Sequence, residues 1–290
     1  MTLTVTDHGA VADGATLNTT ALQKQLDACA ANGGGTLRFP AGRYLTGSLV
    51  IGSSTTIELE PGAVLLGSTD LADYTPIGME SEHRDTALLF AHRAHDVTIR
   101  GGGTIDGNGD AFFDLSRGTV PSDYDPLMTR QGAAYADRPD GATEGPVQYR
   151  MADGRQARPG TLVLFVDCEQ VRVQDVTIVG SPNWCLHLAG CRYANLHGLF
   201  IRNSMLIPNA DCIDIANSSY VNISDCVLEA GDDGIAITPC ADGYIVAPTE
   251  HINVSNCTIS SRSAGIRVGY GLEPVRNVHF TNIHIHASNR

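Results

Sequence analysis

The chain has 290 residues, 42% of them hydrophobic, which is enough for one large core or two ordinary ones. Its 32 acidic residues against 19 basic ones give a net charge of −13, which argues against a nucleic-acid partner, and no run of 18 apolar residues is present to cross a membrane. Aromatics at 6% and 31 glycines favour many short strands and turns over a helix-rich fold.

The opening stretch, MTLTVTDHGA, has neither the basic nor the apolar region of a signal peptide. The expectation is a cytoplasmic protein, or an extracellular or periplasmic one if a leader has already been removed. Next comes NTTALQKQLDACAANGGG, with N-cap candidates at Asn18 and Thr19 and apolar Leu22, Leu26 and Cys29 at helical spacing. It stops at Gly33-Gly34-Gly35. The spacing predicts an amphipathic helix, and residues 1–50 are read as a cap with the first coils of a stack. Residues 106–160 are polar, rich in Asp, Gly, Arg and Pro, and weakly periodic. They are expected to be long loops over a working surface within a single domain spanning 1–290, not a second domain.

From residue 163 the chain repeats itself. VLFVDCEQVRVQDVTI (163–178), LHLAGCRYANLHGLFI (186–201) and IDIANSSYVNISDCVL (213–228) align without a gap. Later copies begin at 235 and 266 and carry insertions, and an earlier copy is LFAHRAHDVTIRGGGTI (89–105). Short strands separated by turns, with insertions at fixed places, read as an all-β solenoid, a parallel β-helix. Asn195, Asn222 and Asn253 share one phase, and so do Val173, Leu196, Ile223, Val254 and Phe280. A sandwich or barrel would not repeat residue types in this way. Cysteines follow the same grid: Cys168 with Cys191, Cys185 with Cys212, Cys226 with Cys257. Facing neighbours about 4.8 Å apart are within disulfide reach, but the Cys226 row is otherwise Val176, Leu199 and Ile283. Reduced core thiols are therefore expected, without a metal role.

The register decides how to read GDDG at 231–234. Asp211 and Asp233 fall at equivalent positions of consecutive coils, Asp232 is opposite Ala210, and Trp184 precedes Asp211 in the same row. The next outward-facing row is His187, Asp214, Ala236 and Arg267. A row of turn-forming Asp residues is one explanation. Three carboxylates converging on one strand edge are costly unless one is protonated or a cation is bound, and such clusters serve chemistry. Glycoside hydrolysis uses one carboxyl as acid and ionised partners to activate water. Calcium-assisted elimination would use the carboxylates as cation ligands and an Arg as base.

These motifs make the chain similar to family 28 of the glycoside hydrolases, the polygalacturonase family. The resemblance runs from HGAVADGATLNTTALQKQLDACAANGGGTLRFPAGRYLTGSL through SPNWCLHL to NADCIDI and GDDGIAI. The family's Asn-Thr-Asp motif reads Asn209-Ala210-Asp211 here, and its Gly-Asp-Asp motif reads Gly231-Asp232-Asp233. The resemblance implies a right-handed parallel β-helix and inverting hydrolysis of pectic, galacturonan or rhamnogalacturonan-type chains. It implies Asp232 as general acid and Asp211 and Asp233 as the groups that hold and deprotonate water, with an acid–base separation of about 6.5–9.5 Å. Asn209, Arg267, His187, Asp214 and Trp184 are the substrate-binding candidates; no cofactor and no metal are expected. The long 106–160 insertion suggests exo action. Two positions depart from the pattern. Ser263-Ala264-Gly265 stands where the family has Gly-His-Gly, and its Arg-Ile-Lys motif has no counterpart before Arg290. Arg267 is a candidate to replace that motif by gripping a substrate carboxylate; the alternative is an ion pair with Asp214. The stop at Arg290 leads us to expect either a longer natural chain or a homo-oligomer paired through an uncapped solenoid end. A calcium-dependent lyase with Arg267 as base, and a carbohydrate-binding solenoid without catalysis, are the alternatives to a hydrolase.

Overall fold

Each sequence repeat becomes one turn of a solenoid built from three short strands, in a computed structural model that describes residues 1–78, 85–115, 147–148, 157–239, 247–269 and 274–288. One complete turn contains Leu186–Ala189, Arg192–His197 and Phe200–Arg202; the next contains Ile213–Ala216, Ser219–Ser224 and Val227–Ala230. Strands of the same phase pair in parallel, which gives sheets of nine, nine and seven strands. The fold is a right-handed parallel β-helix.

The register is the one the repeats predict. Val163, Leu186, Ile213, Ile235 and Ile266 are paired in succession along the seven-stranded sheet. Insertions between repeats are absorbed in the turns. Alternation within each strand sends Leu188, Ile215 and Ile237 into the core, where all three are fully buried. The corner between the two nine-stranded sheets explains a row of small polar residues. Asp175, Gly198, Asp225, Asn256 and Asn282 all have φ between 52° and 62°, left-handed backbone that Gly, Asn and Asp tolerate best. The last three join the rungs, with Asn256 Nδ2 donating to Asp225 Oδ1 at 3.1 Å and Asn282 Nδ2 to Asn256 Oδ1 at 2.8 Å.

The predicted helix forms over Thr19–Ala31 and buries Leu22, Gln25, Leu26 and Cys29 against the first coils. Asn18 is its N-cap residue, but the side chain turns away from the helix and bonds Val11 and Thr16 instead. The seven cysteines among the described residues, Cys29, Cys168, Cys185, Cys191, Cys212, Cys226 and Cys257, are buried and free. Most of the 106–160 segment, and with it the expectation that it covers a working surface, lies outside the described residues. Of its described parts, Phe113–Asp114 pairs antiparallel with Val147–Gln148. Among the described residues no helix is long and apolar enough to cross a membrane.

Candidate active site

The seven-stranded sheet is entered through turns that differ from coil to coil, and the acidic residues sit on two of them. Residues 231–234 join Val227–Ala230 to Ile235–Ile237, and a longer turn over 203–212 joins the preceding pair of strands. Cys185 donates its backbone N–H to the Asp211 carbonyl at 3.1 Å, and Cys212 donates to that of Asp233 at 3.0 Å. Trp184, Asp211 and Asp233 are therefore stacked rung on rung, with Gly231 bonded to the Ala210 carbonyl beside them. One carboxylate oxygen from each of Asp211, Asp232 and Asp233 lies within 4.8 Å of the other two.

These are nearest oxygens on adjacent rungs, about one strand spacing apart, whereas the expected separation of about 6.5–9.5 Å is between whole carboxyl groups. The spacing has its own use. Three points no more than 4.8 Å apart share a centre within about 2.8 Å of each, which is hydrogen-bond distance for a single water. A hard cation could meet the same oxygens, but calcium takes six to eight oxygen ligands and the Arg267 guanidinium already stands against Asp233. The donor set fits a water better.

Each acid is held differently. Asp232 Oδ2 accepts the Asn209 backbone N–H at 3.3 Å. Asn209 adopts the left-handed conformation (φ 57°) that aims this N–H. Asp233 Oδ1 accepts the Ala264 N–H at 2.9 Å, and its Oδ2 is 2.8 Å from Arg267 Nε in a charge contact, not an aligned hydrogen bond. The residue standing where the family has histidine thus supports the site through its backbone. Asp211 is braced from behind: the Asn203 amide donates to the Ala210 and Asp211 carbonyls and accepts the Ser181 N–H.

Burial corrects the expectation that His187 and Asp214 line an open cleft. The row of His187 and Asp214 faces away from the solenoid core, yet neither residue reaches solvent, and the three acids are also buried. The His187 ring packs edge-to-face on Trp184, with centroids 4.9 Å apart. The open surfaces of the site are half-buried Trp184 and Arg267. Arg267 pairs with Asp233, not with Asp214. Ala236 separates Asp214 from Arg267 in the row, which puts them two strand spacings apart.

Burial also holds the Asp211 carboxyl well above the ordinary range, helped by the charges of Asp214, Asp232 and Asp233 and opposed by Arg267. The Asp214 carboxyl is raised by burial and by the same acidic neighbours. The Asp214 charge raises Asp211, while a side-chain hydrogen bond with Asp211 pulls Asp214 down, so the titration of each depends on the other.

Arg158 is the residue that sequence reasoning missed. It comes from the end of the 106–160 segment, where no repeat fixes the register, and it is buried behind Asn209. The only signal was an arginine in RPG just before a core strand. Gly231 matters for a steric reason. A Cβ there would lie 2.3 Å from the Ser204 carbonyl oxygen and 2.5 Å from that of Ile207. Gly231→Ala is expected to push the 204–210 turn away from Asp232. It should cost about 2 kcal/mol in stability and about 100-fold in turnover, read by denaturant melts and reducing-sugar assays. Wild-type turnover in a folded variant would show that the turn has room to shift.

Comparison with known proteins places the chain in a family. The model for glycosyl hydrolases family 28 matches residues 141–290, more than half of the chain. The chain belongs to that family. An exo-poly-alpha-D-galacturonosidase of Dickeya chrysanthemi is 30% identical over 253 residues, 80% of this chain and 41% of that protein. An exopolygalacturonase of Zea mays is 25% identical over 241 residues, 81% of this chain and 48% of that protein. The chain thus spans less than half the length of these curated relatives. A solved exopolygalacturonase of Thermotoga maritima superposes with a TM-score of 0.76 at 23% identity, covering 98% of this chain and 66% of that one. At that identity the superposition shows the fold.

Proposed function

We propose that the protein hydrolyses glycosidic bonds in pectic polysaccharide or oligosaccharide, a galacturonan or a rhamnogalacturonan-type chain. The observation that carries this reading is the convergence of one oxygen each from Asp211, Asp232 and Asp233, all within 4.8 Å of one another, at an otherwise buried turn. Asp232 is the acid that protonates the leaving oxygen. Asp211 and Asp233 hold the water, and Asp233 takes its proton beside Arg267. With water delivered by carboxylates in place of a covalent intermediate, the anomeric centre inverts. Trp184 supplies an apolar face for a sugar ring. Asn209 helps by orienting Asp232, while His187 and Asp214 act from beneath, since neither is exposed. Exo action is supported by the names of the Dickeya and Zea relatives.

Product analysis on galacturonan, rhamnogalacturonan and xylogalacturonan oligosaccharides tests the reading. New reducing ends without ultraviolet absorbance, unaffected by chelator, are expected, with release of mono- or disaccharide from the start. The first anomer seen by NMR should be the inverted one. Unsaturated products lost in chelator would make the protein a lyase, and sugar binding without any product would make it a binding solenoid.

A further inference from the structure

Arg158 has a charged group where the core of a solenoid wall would normally carry an apolar one. It is 4% exposed, and burial lowers its pKa to about 10 against the opposing pull of Asp211, Asp85 and Asp232. One terminal nitrogen, Nη1, donates to the Pro182 carbonyl at 2.9 Å and to the Pro208 carbonyl at 2.8 Å. The other, Nη2, donates to Asn209 Oδ1 at 3.1 Å. The guanidinium carbon lies 5.5 Å from the centroid of the Phe113 ring. A single planar fork thus ties together the two successive turns that lead into the strands carrying the site, and holds the side chain of the residue whose N–H meets Asp232.

We propose that Arg158 is a positioning residue for the general acid, acting through Asn209. The chain of contacts is continuous: the guanidinium fixes the Asn209 amide and the carbonyl before it, these fix a left-handed backbone, and that backbone presents its N–H to Asp232 Oδ2. Without the fork, the Pro182 and Pro208 carbonyls and Asn209 Oδ1 lose its donors, and Asn209 can relax toward the right-handed backbone it would otherwise prefer. Lysine retains the charge but not the planar geometry, so it cannot serve three acceptors in one plane. Buried as it is, Arg158 does not present itself to substrate, so its loss should act on turnover and spare binding.

The inference rests on the hydrolase reading, and the test separates the two. In Arg158→Met, kcat is expected to fall about 100-fold while KM stays within about threefold, and Arg158→Lys should recover about tenfold of the loss. In 15N-labelled protein the Asn209 amide proton, assigned by comparison with Asp232→Asn, should move upfield in Arg158→Met. A folded Arg158→Met with wild-type kcat, or with its loss entirely in KM, overturns the inference, as does an unmoved Asn209 amide. If the Met variant does not fold, Arg158→Lys decides: full wild-type kcat overturns the proposal and a partial loss supports it. A wild-type chain that hydrolyses nothing sinks the hydrolase reading instead, and the Asn209 amide still reports whether Arg158 sets that contact.

Discussion

Asp232→Asn is expected to lower kcat by about 10³- to 10⁴-fold, with KM within a few-fold of wild type. The amide matches the carboxyl in size and offers its own oxygen to the Asn209 N–H, so the turn should survive. What disappears is the proton that the leaving oxygen needs. The same change removes one of three crowded acids, so Asp211 loses a neighbour that raises its pKa, and the variant should fold at least as stably as wild type. Reducing-sugar kinetics and thermal melts on one preparation give both answers. A residual kcat within tenfold of wild type would remove Asp232 from the acid role and turn attention to Asp211, whose carboxyl burial pushes well above the ordinary range. The two candidates differ in environment: Asp232 is tied to the 203–212 turn by the Asn209 backbone N–H, whereas Asp211 is packed against another acid.

Much of this arrangement was legible because a solenoid converts sequence phase directly into spatial neighbourhood. Once the copies at 163, 186, 213, 235 and 266 are aligned, the pairing of Leu186 with Ile213 and the stacking of Asp211 under Asp233 follow from strand spacing. The cap helix was legible for a different reason, the spacing of Leu22, Leu26 and Cys29 on one face. Phase says nothing about height above the sheet. It put His187 and Asp214 on the outward row and could not show that Trp184 and the neighbouring acids enclose them. It also could not choose a partner for Arg267, whose long side chain reaches past its own row to Asp233. Arg158 was out of reach because the segment before it has no repeat, and its contacts with Pro182, Pro208 and Asn209 are all long-range. Strand phase also could not show that one oxygen of each carboxylate converges with the other two, since that depends on side-chain rotamers.

Asp214→Asn should make the protein more stable at neutral pH and leave it unchanged in acid. Asp214 is fully buried, no N–H donor reaches either carboxylate oxygen, and burial raises its pKa above the ordinary value of about 3.9 against the opposing effect of a hydrogen bond with the Asp211 carboxyl. Below that value the carboxyl is protonated in both folded and unfolded chains, and it carries no penalty. As pH rises from there through the raised folded value, the unfolded chain releases its proton while the folded one retains it. The folded state then binds more protons, and stability falls with rising pH. An asparagine has no proton to lose, so the penalty vanishes. The expected gain in Tm is about 3–6 °C at pH 7.5 and close to zero at pH 4, read by calorimetry at both. An equal shift at the two pH values would mean that Asp214 acts through packing, and a loss at pH 7.5 would mean that its charged form is the one the fold uses. Turnover should fall in the same variant, because Asp211 loses the neighbouring charge that helps to raise its pKa. A site that gains stability when one of its acids is neutralised is one in which the acid is retained for the proton it holds, at the expense of the fold around it.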